Sequence, residues 1–502
     1  MNHPAPPAEG AEQRLHPWSW LFALQQQVQQ FLLPLVALLV FGSRREDDQW
    51  PFQLVTLAVV TALVASALLH YLSYRYRIGH DTLVIRSGIF ERTRREIPFA
   101  RIHNVVVHQN LLHRLFGVAE LRLESAAGSK PEAEMRVLRL QQALELERLI
   151  RHGSPATASG EFPAEAEPAR EVLLTLPPPE LVRQGLISNR AMVVMAALLG
   201  AIWQTFPREL VQDFIRAQAR QAFGYASGLQ PSTSTLLAGG LLLLLALALM
   251  WLLSIALAFV QYNDFRLSEQ QQRLTVERGL FTRLRSSVAR RRIQAWTLRE
   301  GMLHRLFQRR QLRVDIAGGG TREQDGRTLK ELVPLATPAT CDALLQHLLP
   351  GVQWPPAHWQ PVTTRGWWRL CLPALLATGT LAALACLRFG GWGLLPLLWL
   401  PWSLLNAHRQ VAHMAYSIDA QRVAVRGGWW NRWWRIAELD KLQALRLERS
   451  PLDHHFGTAT LTLDTAGAFG TQPLRLRFLE ETQARGLLER LGREMAQRRL
   501  RW

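Results

Sequence analysis

One pattern recurs three times along this 502-residue chain, so any fold it adopts must accommodate three copies of one unit. Starting at Leu83, Leu274 and Val423, the segments LVIRSGIF, LTVERGLF and VAVRGGWW alternate apolar and polar residues up to a glycine: Gly88, Gly279 or Gly428. Thirteen residues after each glycine stands a basic residue, Arg101, Arg292 or Lys441, opening RIHNV, RIQAW or KLQAL. Twenty-eight residues after each glycine stands a phenylalanine, Phe116, Phe307 or Phe456, and LRLES, LRVDI and LTLDT then supply another alternating run, all without a gap. Alternation of period two gives each strand one apolar face, which must be buried against another. Each unit closes with a helical pattern: LQQALELERLI from Leu140, CDALLQHLL from Cys341 and EETQARGLLERL from Glu480. Strands covered by one helix predict a small antiparallel barrel or sandwich of about 75 to 90 residues, enough for a modest core.

Between the repeats lie apolar runs of membrane length, so the hydrophobic content of 48% hides a segregation that excludes a purely soluble enzyme. A spanning helix needs about 20 mostly apolar residues. Five uncharged stretches approach that, at 51–74, 191–206, 236–260, 370–387 and 392–407, the last two separated by a short RFGG turn. Residues 21–41 form a sixth, although glutamines fill its first half and an interfacial helix is the other reading. Paired spans return the chain to one side. The net charge of +18 is concentrated in the arginine-rich segments after each pair, which predicts that all three large hydrophilic segments are cytoplasmic. Residues 1–10 lack the basic start of a secretory signal, so the apolar segments are expected to be retained. The predicted organisation is a tail (1–20), hairpin (21–74), module (75–152), linker (153–185), hairpin (186–261), module (262–350), linker (351–366), hairpin (367–407) and module (408–502). The stretch 153–170, rich in Pro, Ala and Glu, reads as a flexible linker.

RLHPWSW at residues 14–20, GLISNR at 185–190 and three repeats each following its span pair resemble the bacterial membrane-flanked domain family with pleckstrin-homology-like (bPH2) repeats. The resemblance covers nearly the whole chain and implies a pleckstrin-homology-like fold for each repeat. It also implies residence in the bacterial inner (plasma) membrane. The expected fold class is therefore a multi-pass α-helical membrane protein with three β-rich, PH-like modules, each a small antiparallel barrel plus a C-terminal helix. The third repeat departs most, with Trp429, Trp430, Trp433 and Trp434 where the others are polar or basic.

The strongest functional signal is basic: Arg92, Arg94 and Arg95 in the first repeat, and Arg283, Arg285, Arg290, Arg291 and Arg292 in the second. A tethered basic surface gains roughly 1 kcal/mol per side chain near anionic headgroups. The competing reading is that these residues enforce topology and solubility. Arg101, Arg292 and Lys441 share one repeat position, which fits a ligand contact or a structural place on the strand. Histidines 80, 103, 108, 113, 454 and 455 lack the acidic or thiolate company of a metal site, and the three cysteines form neither a disulfide framework nor a zinc pattern. No metal, cofactor or catalytic constellation is expected. The expected function is non-enzymatic: modules at the cytoplasmic membrane surface that bind anionic lipid headgroups, a protein partner or a second copy of the chain. Envelope maintenance or tolerance of membrane-active agents is the expected process. A transporter or channel subunit is the alternative, and nucleic-acid attachment is not expected because few aromatics accompany the arginines.

Overall fold

The computed structural model describes residues 12–22, 24, 58, 61–62, 64–66, 68–69, 71–79, 81–88, 92–125, 132–152, 170–188, 192, 194, 200, 233–316, 331–351, 353–465 and 474–497. In the first repeat a short strand β1 (Gln13–Arg14) precedes β2 (Arg75–Ile78), β3 (Thr82–Ser87), β4 (Thr93–Pro98), β5 (Ile102–Gln109), helix α1 (Leu111–Leu115), β6 (Val118–Ser125), β7 (Ala133–Arg139) and helix α2 (Leu140–His152). The second repeat follows the same order. Strand β8 (Glu171–Thr175), helix α3 (Pro178–Ile187) and the long apolar helix α4 (Thr233–Tyr262) lead into β9 (Arg266–Gln270), β10 (Arg273–Arg278), β11 (Arg283–Ala289), β12 (Ile293–Glu300), α5 (Met302–Leu306), β13 (Arg310–Ile316), β14 (Glu331–Ala336) and α6 (Pro338–Leu348). The third comprises β15 (Gln360–Pro361), α7 (Trp368–Phe389), α8 (Trp399–Ala412), β16 (Ala415–Ile418), β17 (Arg422–Gly427), β18 (Arg432–Glu438), β19 (Leu442–Glu448), α9 (Pro451–Phe456), β20 (Thr458–Thr465), β21 (Leu474–Glu480) and α10 (Glu481–Gln497).

The repeat glycines open the tight turns between strands. Gly279 and Gly428 have φ of 113° and 82°, and a β-carbon there would lie 1.9 Å from the Thr282 or Asn431 carbonyl oxygen. Only glycine takes such a conformation without strain. A single 3₁₀ turn at Phe99–Arg101, Arg290–Arg292 and Leu439–Lys441 then carries the chain out of one sheet and into the next. Arg101, Arg292 and Lys441 close these corners.

The modules are not separate bodies joined by linkers. The strand order is β1-β2-β3-β4, then β7-β6-β5-β11-β10-β9-β8, then β14-β13-β12-β18-β17-β16-β15, then β19-β20-β21. The second half of each module thus forms one seven-stranded antiparallel sheet with the first half of the next. The two seams share one register: Arg283 faces Gln109 as Arg432 faces Glu300, and these residues hold equivalent positions in their repeats. Three of the four sheets also take a strand from the segment preceding the apolar helices. Gln13 pairs with Tyr76, Val172 with Ser268 and Gln360 with Tyr416. The predicted tail and both predicted linkers therefore carry structural strands, while residues 153–169 lie outside the described residues. The cores cross the seams as well. Ala424 and Ile436 of the third module pack into the core of the second, and Ala295 of the second packs into the core of the third.

The expectation of a multi-pass α-helical membrane protein is corrected by this architecture. Four antiparallel sheets dominate, and among the described residues two helical runs, Leu244–Tyr262 and Thr364–Ala412, are long and apolar enough to cross a membrane. Apolar length in the sequence records only what a segment tolerates, whereas backbone pairing across modules decides the fold. The expected spans at 21–41, 51–74 and 191–206 fall largely outside the described residues, and the short apolar helix Val64–Ser73 is below spanning length. Within Thr364–Ala412 the chain turns back after α7, bringing Gly393 against the backbone of Cys386, where a β-carbon would lie 2.2 Å from the Cys386 amide nitrogen.

A candidate anion site at the second seam

The basic residues marked in the sequence do not share one environment. Arg92, Arg94, Arg95 and Arg101 are exposed. Arg94 pairs with Glu96, and Arg95 donates to the Glu132 carbonyl at 3.4 Å. Arg283 and Arg291 are also exposed. Arg285 lies between Glu147 and Glu277 at 3.6 and 3.4 Å, tying the end helix of the first module to the second. Arg290 pairs with Glu269 at 3.5 Å. Burial holds the Arg292 guanidinium below its ordinary pKa. Lys441 donates to the Arg291 carbonyl and so joins two adjacent corners. Much of the cluster in the second repeat is therefore occupied in holding strands and seams together.

Another group of arginines converges where the second and third modules meet. A cavity of about 870 Å³ is floored by one face of the sheet across the seam. The register sets its floor. Gln311, Arg299, Trp433 and Gly427 form one row through β13, β12, β18 and β17, and Thr297, Arg435, Val425 and Tyr416 form a second row through β12, β18, β17 and β16. The ring of Trp433 lies over Gly427, where a β-carbon would approach it to 2.7 Å. Strand β21 makes a wall, its alternation burying Leu474 and Leu476 and presenting Arg475 and Arg477. Arg426 and Arg432 flank the floor at the β17–β18 turn, but strand alternation turns their side chains to the opposite face, where the Arg426 guanidinium stacks on the ring of Trp359 at 4.8 Å. Met302 and Leu303 on α5 give the cavity an exposed apolar rim.

The charges lining this cavity are unbalanced. Among the described residues one carboxylate lines it, Glu300, which accepts from Arg310 at 2.8 Å, and Arg435 is taken by Asp315 at 2.6 Å. Arg426, Arg432, Arg475 and Arg477 have no carboxylate partner among the described residues. The Nε atoms of Arg426 and Arg432, on the opposite face of the sheet, and the indole nitrogen of Trp430 are shielded from solvent without a hydrogen-bond acceptor. A buried donor left unpaired costs about 1–3 kcal/mol, which an arriving acceptor recovers. Partial burial, then the charges of Arg475 and Arg369, hold the Arg477 guanidinium below its ordinary pKa. A second cavity, of about 590 Å³, lies on the other side of Arg475 and Arg477 and also receives Arg369, Arg446 and Arg449.

The first seam provides an internal comparison. There the equivalent row is Glu120, His108, Leu284 and Arg278. His108 lies 3.3 Å from Glu120, which also accepts from Arg122 at 2.8 Å. Burial would raise the Glu120 carboxyl, but the neighbouring His108 and the charge and hydrogen bond of Arg122 prevail and bring it down to about 2. Where Glu120 supplies a compensating charge in that row, the second seam has the neutral Gln311.

Both later modules are fastened to apolar helices. Glu180 on α3 accepts from Arg309 at 2.7 and 2.8 Å, and Ser254 on α4 donates to the Gly185 carbonyl at 2.6 Å. In the third module Arg369 on α7 pairs at 2.6 Å with Asp453, whose carboxylate also accepts from Ser450 and Thr458. Trp402 on α8 packs on Trp429 and Trp430 of the β17–β18 turn, with ring centroids 6.1 and 5.4 Å apart. The cavity thus opens beside Gln410 and Met414, at the end of an apolar helix. Sequence reasoning missed these arginines because they come singly from several strands. The alternation of LRLRF in β21 was the available signal.

Comparison with known proteins accounts for the repeat. The family model described as "Bacterial PH domain" matches three times, at residues 29–154, 221–349 and 370–495. The chain is 22% identical over 444 residues to the UPF0699 transmembrane protein YdbT of Bacillus subtilis (strain 168), covering 86% of this chain and 88% of that protein. No solved structure matches the chain.

Proposed function

The chain belongs to the bacterial PH domain family, as a membrane-associated protein with three PH-like modules, and we propose that it acts without catalysis by binding anionic lipid headgroups at the cytoplasmic face of the inner membrane. The observation that carries this reading is the attachment of the arginine-rich third module to the base of an apolar hairpin through Arg369–Asp453 and Trp402–Trp430. Guanidinium groups held at that level experience the surface potential of anionic lipid, roughly 1 kcal/mol for each. Tryptophan favours the same interfacial depth. On this reading the protein is a headgroup-binding scaffold, with maintenance of the envelope under membrane-active agents as its setting.

The test is lipid analysis of the full-length protein extracted in polymer-bounded native discs. Anionic lipid enriched over the whole membrane, with enrichment falling as salt rises, is the expected result. A disc composition equal to that of the bulk membrane overturns the proposal.

A further inference from the structure

The one-turn helices α1, between β5 and β6, and α5, between β12 and β13, turn their apolar side chains outward. On α1, Leu111, Leu112 and Leu115 are 55%, 39% and 76% exposed, and on α5 the equivalent Met302, Leu303 and Leu306 are 53%, 42% and 74% exposed. Residues three and four apart share a helix face, so each triplet forms one small apolar surface. A single exposed leucine needs no explanation, but the same triplet turned outward in two modules marks an interaction surface. The third module departs from it: on α9 the equivalent positions hold Pro451, Leu452 and His455.

The fold carries both helices to the roots of apolar helices. Arg114 on α1 donates to the Leu280 carbonyl at 2.8 Å, and the Leu280 amide donates to the Val260 carbonyl of α4 at 3.0 Å. Leu280 and Phe281, in that same turn, are themselves 38% and 46% exposed. Just past α5, Arg309 is held by Glu180 of α3, and Ile187 of α3 lines one cavity with Met302 and Leu303. Ser254 of α4 donates to the Gly185 and Ser188 carbonyls on either side of Ile187, at 2.6 and 3.0 Å. Ser254 stands about two turns, or about 12 Å, before the end of α4 at Tyr262. The surroundings of α5 thus reach alongside the apolar helix rather than below it. The Arg290–Arg292 corner lies at the other end of β12, about 26 Å away along the strand, and bonds to Gln272 at the end of β9 remote from α4.

We propose that α1 and α5 are interfacial anchors, whose outward apolar triplets enter the boundary between headgroups and acyl chains beside the apolar helices. The bilayer is the occupant because the surface is continuous with helices of membrane character: with α4 through Leu280, and at the second seam with α8 through the Trp429–Trp430 pair on Trp402. The exposed Arg305, between Leu303 and Leu306, suits the same depth, its stem among apolar groups and its charge among headgroups. Two anchors on adjacent modules fix the attitude of the shared sheets against the membrane and turn the Arg290–Arg292 corner away from it. The inference goes beyond headgroup binding: it shares with that reading the placement of the modules at the membrane surface and needs no anionic lipid.

The experiment places full-length protein, one copy per disc, in phosphatidylcholine discs with a nitroxide on Leu115→Cys, Leu306→Cys, His455→Cys or Arg291→Cys, and compares collisions with oxygen and with an aqueous nickel chelate. The signal from the protein's own cysteines is subtracted. All four positions are exposed, so each variant should keep the wild-type thermal midpoint; Leu112→Cys or Leu303→Cys, on the same faces, replaces a helix variant that does not. Labels at 115 and 306 are expected about 5–10 Å inside the headgroup boundary, the label at 455 shallower, and the label at 291 open to the chelate. Labels at 115 and 306 as open to the chelate as that at 291 overturn the anchors. Shielding from oxygen and chelate alike shows a protein contact and overturns the bilayer as occupant. Insertion only after phosphatidylglycerol is added shows that charge holds the helices and overturns apolar anchoring. Lipid analysis of the same protein separates the two readings: anionic enrichment with open labels overturns the anchors alone, and inserted labels without enrichment overturn headgroup binding alone.

Discussion

The ring of Phe478 occupies the space where a side chain on Gly366 would begin: a β-carbon on Gly366 would lie 2.3 Å from Cδ1 of Phe478. Phe478 reaches this position with a φ of 61°, at an irregularity in the β20–β21 pairing, and its carbonyl accepts from the Thr363 amide at 3.0 Å. A bulky residue in the left-handed region is strained, and such strain persists only where its surroundings hold it. Here they are the turn at the foot of α7. Gly366→Ala is expected to destabilise the protein by about 1–3 kcal/mol, the usual cost of overpacking. A lowered thermal midpoint of the full-length variant is the check, and an unchanged midpoint would show that Phe478 moves aside without cost.

The shared sheets make a second expectation. A fragment cut at residues 262 and 350 lacks β8, which pairs with β9, and lacks both β5 and β18, which pair with β11 and β12. Three newly exposed strand edges, on β9, β11 and β12, and an opened core leave it below the stability of a small domain, and unpaired edges favour aggregation. The fragment should show little cooperative thermal unfolding by circular dichroism, whereas a longer piece from residue 170 through the third module should unfold in one transition. A sharply melting, monomeric 262–350 fragment would contradict the continuity of the sheets as a source of stability.

Cys341 lies fully buried on α6, with its thiol pushed up to about 12 by burial and by the neighbouring Asp342. Only the thiolate reacts, so alkylation at about pH 8 should be negligible for this residue in the native protein and complete after denaturation. Peptide mass spectrometry after timed iodoacetamide labelling distinguishes the two. Rapid native labelling of Cys341 would mean that α6 opens readily from the sheet.

The local parts of this fold are legible in the sequence because they depend on local physics. Period-two apolar faces mark β3, β10 and β17, and the glycines after them mark turns that need positive φ. The fixed offset to Arg101, Arg292 and Lys441 marks a corner that all three repeats share. The seams are not legible, since the edge strands β5 and β11 would alternate in the same way whichever strand they met. Nor do the short strands β1, β8 and β15 announce themselves, because pairing with a distant partner, rather than their own pattern, makes them strands. The candidate site follows the same rule. Contiguous arginines such as Arg290, Arg291 and Arg292 stand out in a sequence, yet a 3₁₀ turn spreads them around a corner. Arg299, Arg435, Arg475 and Arg477 are scattered in sequence and brought to one cavity by the fold.

Glu120 gives the first seam a dependence on pH whose sign follows from its surroundings. Its carboxyl titrates at about 2 in the folded protein against an ordinary value of 4.5, because His108 and Arg122 favour the charged form more than burial opposes it. The unfolded chain therefore binds the proton more readily. The contribution to stability is complete above the unfolded value, declines as pH falls below it, and is lost as pH passes the folded value. A depression of that size corresponds to about 3 kcal/mol. Denaturant midpoints of the full-length protein should fall between about pH 5 and about pH 3 in proportion to this loss, and Glu120→Gln should flatten that fall while lowering stability at neutral pH. The corresponding row of the second seam has Gln311, which does not titrate, so Q311E should add a dependence of this kind that the native seam lacks. An E120Q variant with the same acid limb as the wild type would show that the His108–Glu120–Arg122 cluster contributes nothing to holding the first two modules together.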